Sequence, residues 1–358
     1  MADVLHLSGP VLVGPDDVRG EIWVVDGRVT FTKPTAAAQS VAGWVLPGLV
    51  DAHCHVGLGP EGPVDEAQSE KQIRTDRDAG TLLIRDAGSP VDTRWVDDRD
   101  DLPRLIRAGK HIARSRRYLR GFAHEVEPED VVEYVRREAR RGDGWVKLVG
   151  DWIDRDTGDL SPSFPRETVV AAVAAAHEEG ARTTAHCFGE ESLYDFAAAG
   201  TDCIEHACGL EPESIAQFAA QGIAIVPTLI NTARLPEMAA PGRDKFPAYY
   251  AHMIDLHRRR YETVAAAHDA GIPIYLGTDA GSSLPHGLVA EEAADLVNAG
   301  LSPVEALAAG SWAAREWLGR PGIEEGAPAD LVVYEADPRV DVRVLASPEV
   351  IVLRGQTV

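Results

Sequence analysis

A chain of 358 residues, 45% hydrophobic and 26% charged, can bury a full-sized core, which excludes a disordered or fibrous protein and fits one large domain plus a small accessory one. The formal net charge of -22 repels phosphate backbones and anionic lipid surfaces, and no local basic patch offsets it, so neither nucleic acid nor membrane is expected as a partner. No window reaches the run of about 18 apolar residues that a membrane span needs, and the start MADVLHLSGPVLVG lacks the basic region of a secretory signal, which makes the cytoplasm the expected location.

The first residues contain two β-like runs, VLHLSGPVLV and EIWVVDGRVTFT, the second turning at Asp26-Gly27. The end of the chain, DLVVYEADP and VIVLRGQTV, reads the same way. Strands at both extremes with a different pattern between them predict one small β-sandwich domain formed by residues 1–45 and 325–358. Over residues 46–324, candidate strands alternate with helices. The strands are VLPGLVDAHCHVG, TLLIRDAGS, HIARSRRYL, GWVKLVGDW, ARTTAHCFG, DCIEHACG, IAIVPTLIN and IPIYLGTDAG. Helical spacing separates most of them, as in ETVVAAVAAAHEEG, ESLYDFAAAG, PESIAQFAAQG and RRRYETVAAAHDAG. The expected fold class is therefore α/β, a (β/α)8 TIM-like barrel with chemistry at the C-terminal strand ends. A doubly wound open sheet is the rival, but neither GxGxxG nor GxxxxGK[ST] supports it.

His53 and His55 stand two apart on the first candidate strand, so alternation points both to one side, where two imidazoles can chelate one ion. His186 ends the fifth strand, His206 the sixth and Asp279 the eighth. Imidazole nitrogen and carboxylate oxygen are ordinary zinc ligands. Lysine occurs only at positions 33, 71, 110, 147 and 245 in a chain with 35 Lys plus Arg, yet Lys147 sits at the end of the fourth strand, facing the same cavity. An amine buried beside cations loses its proton and can capture carbon dioxide; the resulting carbamate can bridge two divalent ions as a carboxylate would. A lysine that snorkels outward or pairs with Asp151 is the other reading of that position.

VLPGLVDAHCH, the strand-end Lys147, His186, His206 and GTDAG together resemble the amidohydrolase superfamily in its binuclear, carboxylated-lysine form. GTDAG, PHG and LVNAGLSPVEALAAGSWAAREWLG are most similar to the branch holding imidazolonepropionases and Xaa-Pro dipeptidases. The resemblance implies that His53, His55 and Asp279 hold the more buried metal, His186 and His206 the more exposed one, and carboxylated Lys147 bridges both, with zinc the leading metal. It further implies a bridging hydroxide as nucleophile on a C–N bond of a small molecule, with Asp279 passing the proton to the leaving nitrogen. His124 matches a catalytic histidine that bonds the substrate carbonyl; Asn231 stands where dipeptidase-like members offer a tyrosine to the oxyanion, and His286 near the mouth is a candidate substrate contact. A homo-oligomer is also what the family suggests. A lactonase or other esterase on the same binuclear site is the chemical alternative, and a non-catalytic binding barrel the alternative from another class.

The four cysteines, Cys54, Cys187, Cys203 and Cys208, are too few and too irregular for a disulfide framework. Cys54 and Cys187, each one residue from a candidate ligand, are expected to face the helix layer, while Cys208 could reach the site if its strand continues. His111, His177, His252, His257 and His268 lie outside the strand ends and are expected to be structural or solvated.

Overall fold

The computed structural model describes residues 4–358. Both chain ends meet in one sheet. Strands Val4–Leu12, Val18–Val25, Arg28–Thr30, Gln39–Ala42 and Trp44–Pro47 join Leu331–Tyr334, Val350–Leu353 and Gln356–Thr357, with Trp44–Pro47 pairing antiparallel to Leu331–Tyr334. The expected turn at Asp26-Gly27 has both residues at positive φ, as the tightest hairpin turn requires. Alternation gives this sheet two apolar faces. Leu5, Leu7, Ile22, Val24, Val333 and Val352 form one core, while Leu46, Val332, Tyr334 and Leu353 pack with Leu296 and Leu307 of the helices Val289–Asn298 and Pro303–Ala309. Hydrogen bonds join the end strands as one sheet, and two separate facing layers are not distinguished among the described residues.

Parallel strands alternate with helices through the middle of the chain. Leu49–Cys54 pairs with Thr81–Asp86, which pairs with Arg104–Arg107. Ile112–Arg114, a few residues on, pairs with Trp145–Val149, and the series continues through Arg182–Cys187, Cys203–His206 and Ala224–Val226. The helices Arg166–Glu178, Glu190–Ala199 and Pro212–Gln221 fall on their predicted spans, the last two closed by Gly200 and Gly222 in the left-handed region. The fourth predicted helix is the C-terminal half of a longer one, Pro247–Asp269. No helix among the described residues is long and apolar enough to cross a membrane.

Three predicted strands differ from expectation. The seventh, IAIVPTLIN, keeps only Ala224–Val226, and Leu229–Thr232 is helical. The third, placed at HIARSRRYL, keeps only Ile112–Arg114; its charged remainder turns away, with Arg116 at φ 64, and puts Tyr118 in a loop. The eighth, IPIYLGTDAG, is not a continuous strand, because Pro273 lacks a ladder donor and Asp279 is left-handed at φ 58. It bridges its neighbours even so. Tyr275 N donates to Ile225 O and Ile225 N to Pro273 O on one side, while Ala52 N donates to Leu276 O and His55 N to Ala280 O on the other.

That seam depends on a missing side chain. A Cβ at Gly277 would stand 2.5 Å from Val226 Cγ1 and 2.6 Å from His53 Cβ. Gly277→Ala is therefore expected to destabilise the fold by about 1–3 kcal/mol through overpacking, read as a lower urea midpoint with an unchanged m-value.

Candidate active site

The strand ends converge on one cavity of about 310 Å³ whose lining includes His53, His55, Lys147, His186, His206 and Asp279. The geometry at its floor follows from what the far ring nitrogens do. His55 Nδ1 lies 2.7 Å from Gly88 O, which can only accept, and His53 Nδ1 lies 2.7 Å from the Glu205 carboxylate. Each Nδ1 thus carries the proton and leaves Nε2 as a lone pair in the neutral ring. The two Nε2 atoms stand 3.2 Å apart, at 3.1 and 2.9 Å from the same Asp279 oxygen. Three such atoms facing each other this closely need a proton or a cation among them, and two imidazole nitrogens and a carboxylate oxygen are a donor set that fits a metal. His53, His206 and Asp279 each bring a ligand atom within 4.8 Å of the others.

His206 reaches the cluster against the alternation of its strand. Glu205 pairs with His186 and faces the cavity, whereas His206 pairs with Cys187, which packs in the helix layer. A left-handed backbone at His206, φ 66, turns the ring inward to 4.7 Å between centroids from His186. Its Nδ1 then lies 2.7 Å from Thr228 Oγ1, and Thr228 is itself left-handed at φ 45. Such conformations cost of order 1–3 kcal/mol each and cluster at functional sites; Asp279 is a third.

Burial sets the protonation of the remaining groups. It pulls His186 well below the ordinary histidine range, helped by His206 and Lys147, and lowers His206 to about 3. Both rings are neutral at neutral pH, and His186 Nε2 is buried with no hydrogen-bond partner, as a free ligand atom would be. Burial also lowers His55, while at His53 Glu205 and Asp279 overcome it and raise the value. Burial would raise Asp279, but His53 and His55 hold it well below the usual carboxylate range.

Lys147 is 1% exposed and lowered by burial against the pull of Glu205 and Asp279. Among the described residues it has no ion-pair partner within 4.0 Å, and Asp151 is committed elsewhere, accepting from Phe188 N, Gly189 N and Ser192 Oγ. The alternative of a Lys147–Asp151 pair is thus not what the structure contains. Below the cluster, Arg85 Nη2 donates to Glu205 Oε1 at 2.8 Å, Thr184 Oγ1 donates to the same oxygen, and the guanidinium stacks over Trp145 and Trp317.

Other expectations fare unevenly. Asn231 lines the cavity. His124 does not, which corrects its assignment as a catalytic and substrate-contacting residue: its short strand pairs outside Ile112–Arg114, and its ring lies 2.9 Å from Glu138 Oε1 on the helix Val131–Arg141. His286 is also apart from the ligand cluster, its Nδ1 2.8 Å from Asp76 Oδ2 beside a neighbouring depression. Cys54 and Cys187 pack in apolar clusters as expected, and Cys208 does so too, against Phe188 and Met253.

Sequence reasoning missed three residues. His111 is fully buried with both ring nitrogens unpartnered, its centroid 5.1 Å from His55 and 5.4 Å from Tyr118. Tyr118 lines the cavity, and burial raises its pKa, so the hydroxyl keeps its proton. Glu205 was visible only as the residue before His206; strand parity could have marked it as inward.

Burial raises Glu205, but Arg85 and His53 outweigh it and leave the group well below its ordinary 4.5. Stability from this lowering is fully present above pH 4.5 and is lost as pH falls through the lower folded value. Glu205→Gln is expected to cost about 3–5 kcal/mol at pH 7, by leaving Arg85 buried and unpaired, with the difference from the parent narrowing below pH 4.5 in thermal melts.

Comparison with known proteins fits this geometry. The sequence model of the amidohydrolase family matches residues 44–358. A protein of Mycobacterium tuberculosis described as uncharacterized is 52% identical, covering 99% of this chain and 95% of the relative. Ochratoxinase of Aspergillus niger is 25% identical over 62% of this chain and 47% of that protein; its crystal structure superposes with a TM-score of 0.79 at 19% identity, covering 99% and 95% of the two chains. A crystal structure of a Xaa-Pro dipeptidase with bound methionine superposes with a TM-score of 0.84 at 21% identity, covering 100% of both chains. The family match and these neighbours imply a TIM-like barrel for the alternating strands and helices.

Proposed function

We propose, from the premise that this chain belongs to the amidohydrolase family, that it is a metal-dependent hydrolase cleaving an amide or related C–N bond of a small molecule. The single observation that carries the reading is the meeting of His53 Nε2, His55 Nε2 and one Asp279 oxygen within 3.2 Å, a donor set that a divalent cation would satisfy. His53, His55 and Asp279 would hold one divalent ion and His186 and His206 a second, with Lys147, as its carbamate, a further ligand, and zinc is the leading metal. Bound there, the ions would supply Lewis acidity, lowering the pKa of water and polarising a carbonyl. The names of the neighbours, a Xaa-Pro dipeptidase and an ochratoxinase, agree with a hydrolase. In this reading residues 46–324 carry the chemistry, and the two chain ends form the accessory domain.

The chain's own residues divide the work. Glu205 and Gly88 O hold the His53 and His55 rings with Nε2 toward the cavity. Asp279, ionised at neutral pH, accepts the proton released when water attacks and returns it to the leaving nitrogen, without which an amine departs poorly. Tyr118, protonated and facing the cavity, donates to the carbonyl oxygen as negative charge develops there. Asn231, also on the lining, offers an amide to the substrate.

Elemental analysis tests the centre. Near two divalent ions per chain are expected, falling together with amide hydrolysis in Lys147→Ala; an ion content near zero in active protein would remove the metal from the mechanism. Tyr118→Phe is expected to lower kcat by about 10- to 1,000-fold while the ion content stays at the parent value. An unchanged kcat would remove the phenol from its role.

A further inference from the structure

The cavity has two kinds of wall, and the one beside the ligand cluster is apolar, with Phe188 4.4 Å from His186 and 4.8 Å from His206 between ring centroids. Tyr118, Phe122, Trp152, Phe188, Met238 and Met253 form it, with Tyr118 and Trp152 edge to face at 5.0 Å. The sequence contains three methionines, of which one is Met1; the other two, Met238 and Met253, both line this cavity. Methionine is flexible and polarizable and makes favourable sulfur contacts with aromatic rings, so its concentration here points to an aromatic or aliphatic group as the occupant.

Positive charge is confined to the floor. Lys147 is the one lysine or arginine on the lining among the described residues. Three arginines adjoin lining residues; Arg120, beside Leu119, is exposed and off the lining, and the other two are spent on other partners. Arg117, next to Tyr118, donates to Trp152 O, Ser161 O, Ser161 Oγ and Pro162 O. Arg234 donates to Ser283 O, Ser283 Oγ and Glu237 Oε2. A free carboxylate on the substrate would leave water for a wall with no cation to receive it, inside a chain of formal net charge -22.

We infer that the substrate is an uncharged apolar amide, with an aromatic or aliphatic group on the wall of Tyr118, Trp152, Met238 and Met253, and not a free dipeptide or an N-acyl amino acid carrying an ionised carboxylate. This rests on the hydrolase reading above and narrows it to one chemical class.

The experiment compares N-propylbenzamide with N-benzoylglycine on the metal-loaded protein. The two share the benzoyl group and one amide bond, and differ in an ethyl group set against a carboxylate. A zwitterionic dipeptide, phenylalanylproline, is the third probe, and calorimetric binding of all three to Asp279→Asn supplies a readout independent of turnover. N-propylbenzamide is expected to exceed N-benzoylglycine in kcat/KM by about tenfold or more, to bind Asp279→Asn more tightly, and to lose that advantage in Met238→Lys, which places a cation on the wall. Preference for N-benzoylglycine or the dipeptide overturns the inference and leaves the hydrolase reading standing. Tighter binding of N-propylbenzamide without hydrolysis of any probe keeps the apolar wall and removes amide hydrolysis. Neither binding nor hydrolysis of any probe overturns both.

Discussion

One fully buried carboxylate holds the site together. Glu205 receives Arg85 on one oxygen and His53 Nδ1 on the other, and Thr184 also donates to it, so a single side chain links four strands at the level where their ends open. Two opposite charges in a dry interior are stable only with good geometry and hydrogen bonds; here Arg85 Nε and Nη2 donate to Ala52 O and Glu205, while Nη1 has no hydrogen-bond partner and the guanidinium is covered by the indole faces of Trp145 and Trp317. The consequence is directional. With Nδ1 committed below, His53 must turn its lone pair up toward Asp279 and His55. Lys147 shares the burial but has no such partner among the described residues, so within one layer one cation is ion-paired and the other is not.

Backbone strain is the second constraint, and it too is held by neighbouring contacts. Asp51 accepts from His53 N, Thr278 N and Thr278 Oγ1, fixing both sides of the seam that carries the left-handed Asp279. Thr228 plays the same part for His206. The close approach of Gly277 to His53 and Val226 lets the seam form at all. Each strained residue thus has a bond or a missing Cβ beside it that keeps its conformation in place, and each places a polar side chain where regular strand geometry would not.

These facts explain what could be read from the sequence. His53, His55, His186 and Asp279 were legible because polar residues at the ends of apolar runs have few other uses, and Lys147 because lysine is rare in this chain. His206 lines the cavity, though parity alone would have turned it outward; its left-handed backbone leaves no mark in the composition. Glu205 stood beside it and went unread, because attention to strand ends passed over the inward residue one step earlier. His124 and His111 illustrate the opposite difficulty. They flank the third predicted strand, His111 at its start and His124 beyond its end, and only the placement of the chain decides that His124 faces Glu138 while His111 sits against His55. The fold was legible wherever period and turn residues agreed, and it departed where Pro273 and the charged run after Ile112–Arg114 interrupted a strand.

The division between floor and wall has its own structural logic. The floor is made by strand ends, whose side chains are fixed by ladders, buried carboxylates and close packing. Much of the wall comes from one segment between Ala224–Val226 and the stretch 272–280, which contributes Asn231, Met238, Tyr249 and Met253 from short helices and the long helix Pro247–Asp269. Met238, Tyr249 and Met253 pack with Phe188 and Cys208 in a small cluster of their own, separate from the main helical core. A substitution there can reshape the wall without disturbing Glu205, Arg85 or the left-handed strand ends. Chemistry rests on rigid elements and selectivity on a segment that can change around them, which is why a shared ligand set does not by itself fix the substrate.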